Sequence, residues 1–123
     1  MILVTGATGF LGQNIVLLLA KEHRLRLLVR SGSDTSVFQD LSFESASVDF
    51  NDPLSSRKAL SGVEAVLHLA AILREPRPLW WWGKQGQETF ENVNIGFTKA
   101  LLSASKESGV KKFFYISNLG VRQ

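Results

Sequence analysis

Apolar residues along this chain follow two alternating patterns: short compact runs and longer stretches with helical spacing. The compact runs are MILVT, LRLLVR, SFESASVDF, VEAVLHLAA and KKFFYIS. Each run is rich in leucine, β-branched or aromatic residues, which is typical of strands. The pattern therefore predicts five strands with helices between them.

Three helices are predicted in the stretches between the runs. The first covers about residues 9–22. Four apolar residues are expected on its buried face: Leu11, Ile15, Leu18 and Leu19. The second covers about residues 53–60, because Pro53 suits a first helical turn. The third covers about residues 87–108 and ends at Gly109, a favourable residue just beyond a helix.

The order of these elements predicts a parallel sheet with helices on both faces. Strands one, two and four are almost continuously apolar, as expected for strands that are buried on both sides. The predicted fold class is α/β, a doubly wound sheet of about five strands in the order 3-2-1-4-5. With 123 residues, of which 45% are hydrophobic, we expect one domain over residues 1–123.

Three glycines stand between the first strand and the first helix, in the segment VTGATGFLG. Gly6 would permit a tight turn, Gly9 would let the backbone approach a pyrophosphate, and Gly12 would let the helix pack closely. Amides at the start of the helix would then face the phosphates. The alternative is a strand-to-helix turn that binds nothing.

Charge and composition exclude several other kinds of site. The net charge is +3, from 14 basic and 11 acidic residues without a long run of either sign, so neither nucleic acid nor an anionic membrane is an expected partner. There is no cysteine, and His23 lies far from His68 in the sequence, so no metal site is predicted. We expect His68 to be buried, neutral and held by one hydrogen bond. No apolar segment approaches the roughly 20 residues of a membrane span, and a cytoplasmic location is expected.

Five segments together resemble one known family. The segment from Thr5 to Gly12, TGATGFLG, is similar to a TGxxGxxG fingerprint, and SVDFND, LHLAA, VNIGFTKALLSA and VKKFFYISNLGV follow in the order of the same family's later segments. That family is the extended and atypical short-chain dehydrogenases/reductases, of the NAD-dependent epimerase/dehydratase type. The resemblance implies a Rossmann-type fold, truncated after strand five, with an NAD(P) cofactor.

The resemblance also implies roles for individual residues. Asp49 would accept a hydrogen bond from the adenine amino group, and Phe50 would lie against the adenine ring. The small Ala70 and Ala71 would let the backbone approach the cofactor ribose. Asn94 stands at the family's asparagine. The expected cofactor-binding set is Gly6, Thr8, Gly9, Phe10, Leu11, Gly12, Arg30, Asp49, Phe50, Leu69, Ala70, Ala71 and Asn94.

Arg30 ends the second predicted strand, where an NAD-preferring site would carry an acid for the ribose hydroxyls. A guanidinium there could bind a 2′-phosphate, with Ser31 and Ser33 as further donors. NADP is therefore favoured over NAD. A solvated arginine at a strand end is the alternative, and Asp34 keeps NAD open.

The family's chemistry needs a tyrosine followed four residues later by a lysine. Tyr115 is the single tyrosine of this sequence, and Leu119 stands four places on, so the pair is absent from residues 1–123. Ser117 is the remaining catalytic candidate, with a strand-end serine bonded to backbone as its alternative. The resemblance implies an NAD(P)-binding domain of an oxidoreductase or sugar-nucleotide-type epimerase/dehydratase. The alternative is a non-catalytic NADP-binding regulator or assembly subunit.

Partners are predicted from the fifth strand, whose FFYI segment would form an apolar sheet edge. Such an edge needs a cover, so we expect a homo-oligomer or a C-terminal half packed against it, with this chain as the N-terminal portion. The substrate is expected to be a small molecule of unknown identity. Of the adjacent Trp80, Trp81 and Trp82, one or two rings are expected to pack on the domain surface or against a subunit. The alternative is a tryptophan that covers the nicotinamide or a substrate.

Overall fold

Five parallel strands form one sheet within residues 1–49, 51–71 and 91–116, which the computed structural model describes. The strands are β1 (Ile2–Thr5), β2 (Leu25–Leu28), β3 (Phe43–Ala46), β4 (Ala65–His68) and β5 (Lys112–Tyr115). Their order across the sheet is β3-β2-β1-β4-β5, so the predicted topology is confirmed.

The strands end together at one edge of the sheet. Thr5 pairs in register with Leu28 on one side and with His68 on the other. Farther out, Leu28 pairs with Ala46, and His68 pairs with Tyr115. Because all pairs are parallel, the segments that follow the five strands leave from this carboxyl edge, where open α/β sheets bind their ligands.

The helices lie in the predicted stretches; the second has the predicted bounds, and the first and third differ from theirs. They are α1 (Phe10–Leu19), α2 (Pro53–Leu60) and α3 (Thr98–Glu107), with a 3-10 helix at Ser36–Phe38 and a π-helical segment at Glu91–Phe97. In α2 the Asp52 carboxylate accepts the Leu54 amide at 3.0 Å, and proline occupies the first turn. In the described residues the predicted third helix begins as the π-helical segment and continues as α3. The first predicted residues of this helix, 87–90, lie outside the described residues.

Both faces of the sheet are covered, as a doubly wound fold requires. Leu3 and Val4 are adjacent on β1 and fully buried, yet they belong to separate apolar clusters. Leu3 packs with residues from α2 and α3, including Leu60 and Leu101. Val4 packs with Val16 of α1 and with the buried phenylalanine of the 3-10 helix. Adjacent residues of a strand point to opposite faces, which explains the division.

The buried face of α1 differs from the predicted one. Gly12 and Val16 are buried, whereas Leu11 is 46% exposed and Leu18 is 65% exposed. Gly12 packs against the turn that follows β1, and Val16 lies one turn farther along the same face. This contact rotates Leu11 and Leu18 away from the sheet, so the expected burial of these two leucines was wrong.

A half-buried guanidinium joins three elements near the β3 edge. Arg26 on β2 donates to Glu44 of β3 at 2.6 and 2.9 Å. It also donates to the Ala59 carbonyl at 2.8 Å and the Ser61 carbonyl at 2.7 Å, at the end of α2. Hydrogen bonding from Arg26 lowers the pKa of the Glu44 carboxyl. The arrangement uses the forked geometry of arginine to satisfy carbonyls that a helix end leaves unpaired.

The opposite edge of the sheet exposes apolar side chains. Phe114, Tyr115 and Ile116 are each about half exposed, at 53%, 47% and 49%. This exposure agrees with the sequence pattern of the fifth strand. Its cover by a second copy or by further chain stays a prediction.

Ser105 of α3 predicts a stabilising substitution. Its side chain is 2% exposed, and its hydroxyl has no hydrogen-bond partner in the part of the chain that the structure describes. Ser105→Ala should raise the free energy of unfolding by about 1 kcal/mol, because it removes an unsatisfied buried hydroxyl. Ser103→Ala on the same helix is the control, since the exposed Ser103 hydroxyl bonds Glu107 at 3.3 Å. Urea denaturation of both variants measures the difference, and equal effects would contradict the explanation.

Candidate functional site

The glycine-rich segment forms a tight turn between β1 and α1. Gly6 has φ +70°, a left-handed conformation that favours glycine. The Gly9 amide donates to the Gly6 carbonyl at 3.1 Å and closes the turn. Gly9 is extended, and its carbonyl accepts the Gln13 amide at 2.9 Å, which begins α1. The backbone thus passes from strand to helix within four residues, Gly6 to Gly9.

The N-terminus of α1 is open to an anion. Among the described residues, no side chain caps this end, and the first turn contains no acidic residue. Gly9 is exposed, and Phe10 is 90% exposed. Unpaired amides and the helix dipole give such a terminus a partial positive charge. The arrangement suits a phosphate group.

Two of the three glycines are in close contact with other backbone. A Cβ atom added at Gly6 would lie 2.6 Å from the Ala70 nitrogen and 2.7 Å from the Leu69 carbonyl carbon. One added at Gly12 would overlap the Gly6 carbonyl oxygen and lie 2.8 Å from Ala7 Cα. A Cβ at Gly9 would meet only the Gly6 oxygen, at 3.3 Å. Gly6 and Gly12 therefore make close packing possible, and Gly9 leaves its backbone accessible.

A chain of buried hydrogen bonds lies directly behind this turn. The Ala70 amide donates to Thr5 Oγ1 at 3.2 Å, and Thr5 Oγ1 bonds His68 Nδ1 at 2.6 Å. His68 Nε2 bonds Thr98 Oγ1 at 2.8 Å, and the Thr98 hydroxyl donates to the Asn94 carbonyl at 2.8 Å. We call this chain the Thr5–His68–Thr98 relay. It links the ends of β1 and β4 to the start of α3.

His68 makes two hydrogen bonds, so the expectation of one was wrong. The second bond comes from α3, whose packing the sequence does not show. Its side chain is fully buried, and burial lowers its pKa to about 4. The ring stacks on Tyr115 with centroids 5.5 Å apart, and Phe97 meets it edge-on at 5.3 Å. The imidazole is therefore neutral at physiological pH and held in one plane.

Arg30 lies in the turn that leaves β2. The Ser33 amide donates to the Arg30 carbonyl at 3.1 Å, and Gly32 between them has φ +78°. Arg30 and Ser31 are exposed on this turn. The carboxylate of Asp34 accepts the Ser36 amide at 2.9 Å, and hydrogen bonding by Ser36 lowers the pKa of Asp34. The acid nearest to Arg30 in sequence is thus engaged in starting the 3-10 helix.

Asp49 is exposed at the carboxyl edge between β3 and α2. Its Oδ1 accepts the amide of Asn51 at 2.9 Å and the Asn51 side chain at 3.1 Å. Its own amide donates to Ser55 Oγ at 2.9 Å. These bonds fix the carboxylate beside the start of α2. Its role toward adenine stays a prediction.

The structure brings only part of the predicted set into contact. Gly6 touches Leu69 and Ala70, while Asn94 is connected to Ala70 through the relay. Phe50, Ser117 and the three tryptophans lie outside the described residues. The sequence analysis did not predict that His68 bonds both Thr5 and Thr98, and it did not single out Thr98. A signal existed, because a single histidine in an apolar parallel strand must bond a neighbouring strand or helix.

A groove of about 610 Å³ lies away from the glycine turn, between β3 and α2. The Arg26–Glu44 pair forms part of its wall, with Asp52 and Lys58. These charges already have structural partners or face solvent, so the groove is not part of the candidate site. Within the described ranges, no group of acidic or histidine side chains could hold a metal ion, and no helix is long and apolar enough to cross a membrane.

The sequence profile of the NAD(P)H-binding family matches residues 6–123. The chain belongs to the NAD(P)H-binding family. The match includes Gly6, Gly9 and Gly12 and extends through β5. The domain is thus an NAD(P)-binding domain of Rossmann type, as the sequence predicts.

Two curated relatives show the wider family. Sterol demethylase protein B of Methylococcus capsulatus is 37% identical over 121 residues, which is 96% of this chain and 34% of that protein. The 3 beta-hydroxysteroid dehydrogenase/Delta 5-->4-isomerase of Mycobacterium tuberculosis is 33% identical over 121 residues, 98% of this chain and 32% of that protein. The NAD(P)H-binding chain spans about a third of the length of these relatives.

Two solved structures are similar to this chain in both sequence and fold. The crystal structure of gox2253 is 40% identical with a TM-score of 0.77, over 99% of this chain and 36% of that chain. A short-chain dehydrogenase/reductase superfamily protein of Agrobacterium tumefaciens with bound NAD is 30% identical with a TM-score of 0.60, over 92% and 31%. The predicted membership of the short-chain dehydrogenase/reductase family is confirmed for this NAD(P)H-binding domain.

Proposed function

We propose that residues 1–123 form the cofactor-binding domain of a longer oxidoreductase, with NADP(H) bound at the glycine turn. The open N-terminus of α1, reached through Gly6 and Gly9, carries this proposal. When bound, the nicotinamide gives or takes a hydride, and the protein's part is to hold and orient it. The whole protein would act as a dehydrogenase, reductase or epimerase.

The pyrophosphate would lie on the first turn of α1. Amides from Thr8, Phe10 and Leu11 are available there, and the helix dipole favours an anion. Gly9 has only one neighbouring atom near its Cβ position, so a phosphate oxygen can approach its backbone. Gly12 supports the same site by allowing α1 to lie against the turn.

The adenosine half would extend toward β2 and β3 along the carboxyl edge. Leu69, Ala70 and Ala71 follow β4 and would present backbone to the ribose. Asp49 would receive the adenine amino group, with Phe50 against the ring. Asn94 would act from the segment that precedes α3.

Arg30 would bind the 2′-phosphate and make NADP(H) the preferred cofactor. Its position at the carboxyl end of β2 supports this assignment, and so does the exposure of Ser31 beside it. Asp34 accepts the Ser36 amide at Oδ1, so this carboxylate is oriented by the start of the 3-10 helix and offers its second oxygen to a ribose hydroxyl. A bidentate arginine contact with phosphate is a strong charge-assisted interaction.

Calorimetric titration with NADPH and NADH tests the cofactor preference. Wild type should bind NADPH about tenfold or more tightly than NADH, and Arg30→Ala should remove that preference by weakening NADPH alone. Arg24→Ala is the matched control, because Arg24 precedes β2 at the amino ends of the strands and its side chain pairs with Glu44 at 3.3 Å. Equal affinities in wild type, or a preference that survives Arg30→Ala, would refute the assignment.

A second candidate function is a regulator or assembly subunit that binds NADP without chemistry. Tyr115 favours it, because this ring stacks on His68 and no lysine stands four residues later. The gene sequence after residue 123 separates the two functions. A Tyr-x-x-x-Lys pair there supports an enzyme, and a stop codon supports binding alone.

A further inference from the structure

We infer that His68 and Thr98 are positioning residues for the dinucleotide, which act through the Thr5–His68–Thr98 relay and couple α3 to the cofactor turn. The inference rests on the proposed site at the glycine turn. Neither residue needs to touch the cofactor. Their effect is on the backbone that does.

The protons of the relay can be assigned from its geometry. The Thr98 hydroxyl has one proton and gives it to the Asn94 carbonyl at 2.8 Å. Thr98 Oγ1 must therefore accept from His68 Nε2, 2.8 Å away. The neutral ring then has an acceptor at Nδ1, which receives the Thr5 hydroxyl proton at 2.6 Å. Thr5 Oγ1 in turn accepts the Ala70 amide at 3.2 Å.

Each end of this assignment meets the cofactor turn. Thr5 directly precedes Gly6 on β1, and Ala70 is the residue whose nitrogen lies 2.6 Å from the Gly6 Cβ position. The relay therefore holds both partners of the contact between Gly6 and the segment after β4. A small movement of either partner changes the backbone surface offered to the pyrophosphate and the ribose.

Burial makes the relay selective for one arrangement. Thr5 and His68 are almost completely buried, and Thr98 is half-buried. Phe97 and Tyr115 pack on the imidazole and prevent it from turning. A buried donor or acceptor without a partner is costly, so loss of the Thr98 hydroxyl should release the ring and loosen Thr5. Thr98 is the first residue of α3, where the π-helical segment passes into α-helical backbone.

Thr98→Val and Thr98→Ser test the coupling. Valine keeps the shape and removes the hydroxyl, whereas serine keeps the hydroxyl. Calorimetry with NADPH and NADH, well below the melting temperature, should show about tenfold weaker binding for Thr98→Val and wild-type affinity for Thr98→Ser. Circular dichroism at the same temperature reports the folded fraction. Equal affinities of the two folded variants would overturn the inference.

The histidine gives a second readout that does not depend on binding. Nitrogen-15 NMR should find His68 of wild type protonated at Nε2 alone, and His23→Gln assigns the signals because the chain has two histidines. Thr98→Val should produce a mixture of the two neutral tautomers. A wild-type ring protonated at Nδ1 would contradict the relay.

Gly9→Ala separates failure of this inference from failure of the proposed site. If Gly9→Ala weakens binding and both Thr98 variants bind like wild type, the site stands and the relay has no positioning role. If Gly9→Ala binds like wild type, the proposed site is wrong. If wild type binds neither dinucleotide, both proposals are overturned.

Discussion

Gly12→Ala is expected to lower the free energy of unfolding by about 2 kcal/mol and to weaken dinucleotide binding by about tenfold or more. The added Cβ would overlap the Gly6 carbonyl oxygen and approach the Ala7 backbone to 2.8 Å. Backbone cannot move aside as a flexible side chain does, and such overpacking costs up to about 3 kcal/mol. Alanine gains only about 1 kcal/mol over glycine in a helix, so the overlap prevails.

Gly9→Ala should have the opposite profile. Gly9 is extended, with φ −75° and ψ 167°, and a Cβ there meets one atom at 3.3 Å. Stability should change by less than about 1 kcal/mol, while binding weakens because the methyl group occupies the phosphate approach. Urea denaturation and calorimetry measure the two quantities. A stable Gly12→Ala variant with wild-type affinity would show that α1 does not need its close packing.

Acidification from about pH 7 to about pH 5.5 should lower the free energy of unfolding by about 1 kcal/mol through His68 alone. The pKa of His68 is lowered from 6.5 to about 4 by burial in the folded protein. Below pH 6.5 His68 is protonated in the unfolded chain but stays neutral in the folded chain. The free energy of unfolding therefore decreases as the pH is lowered. The loss is complete only below about pH 4, with a total of about 3 kcal/mol.

His23→Gln is the control for this pH dependence, because it removes the exposed histidine and leaves His68 as the single histidine. The window above about pH 5.5 avoids protonation of Asp34 and Glu44, whose lowered pKa values act at more acidic pH. Tyr115 is the titratable group that stacks on His68. Urea denaturation across the window measures the slope. A flat profile in both proteins would mean that His68 is accessible to protons in the folded state.

Local signals in the sequence predicted the elements well. Pro53 predicted the start of α2, and the structure has that helix at Pro53–Leu60. The five strands and their order follow from the alternation of compact apolar runs with helical stretches and from the way the chain connects them. The face of α1 did not follow from apolar spacing, because the close contact of Gly12 with the turn, and not the four apolar residues expected there, decides which side of the helix is buried.

In the candidate site, too, the local geometry could be predicted from the sequence and the long-range contacts could not. The turn from Gly6 to Gly12 is continuous in sequence, so its geometry could be anticipated from residue types. The contact between Gly6 and Ala70 joins residues far apart in the chain, and the bond between His68 and Thr98 depends on how α3 packs. Such contacts are set by tertiary packing, which residue patterns within one segment do not encode.

The two outer strands differ in how they can meet another molecule. Glu44 on β3 is bound by Arg26 and Arg24, and charged groups fixed on an outer strand discourage pairing with a foreign strand. The β5 side exposes Phe114 and Ile116, and its charged residues, Lys111 and Lys112, stand only at the start of the strand. If this domain pairs with a second copy, we therefore expect the contact at β5, and two β5 edges that meet each other would form a closed dimer.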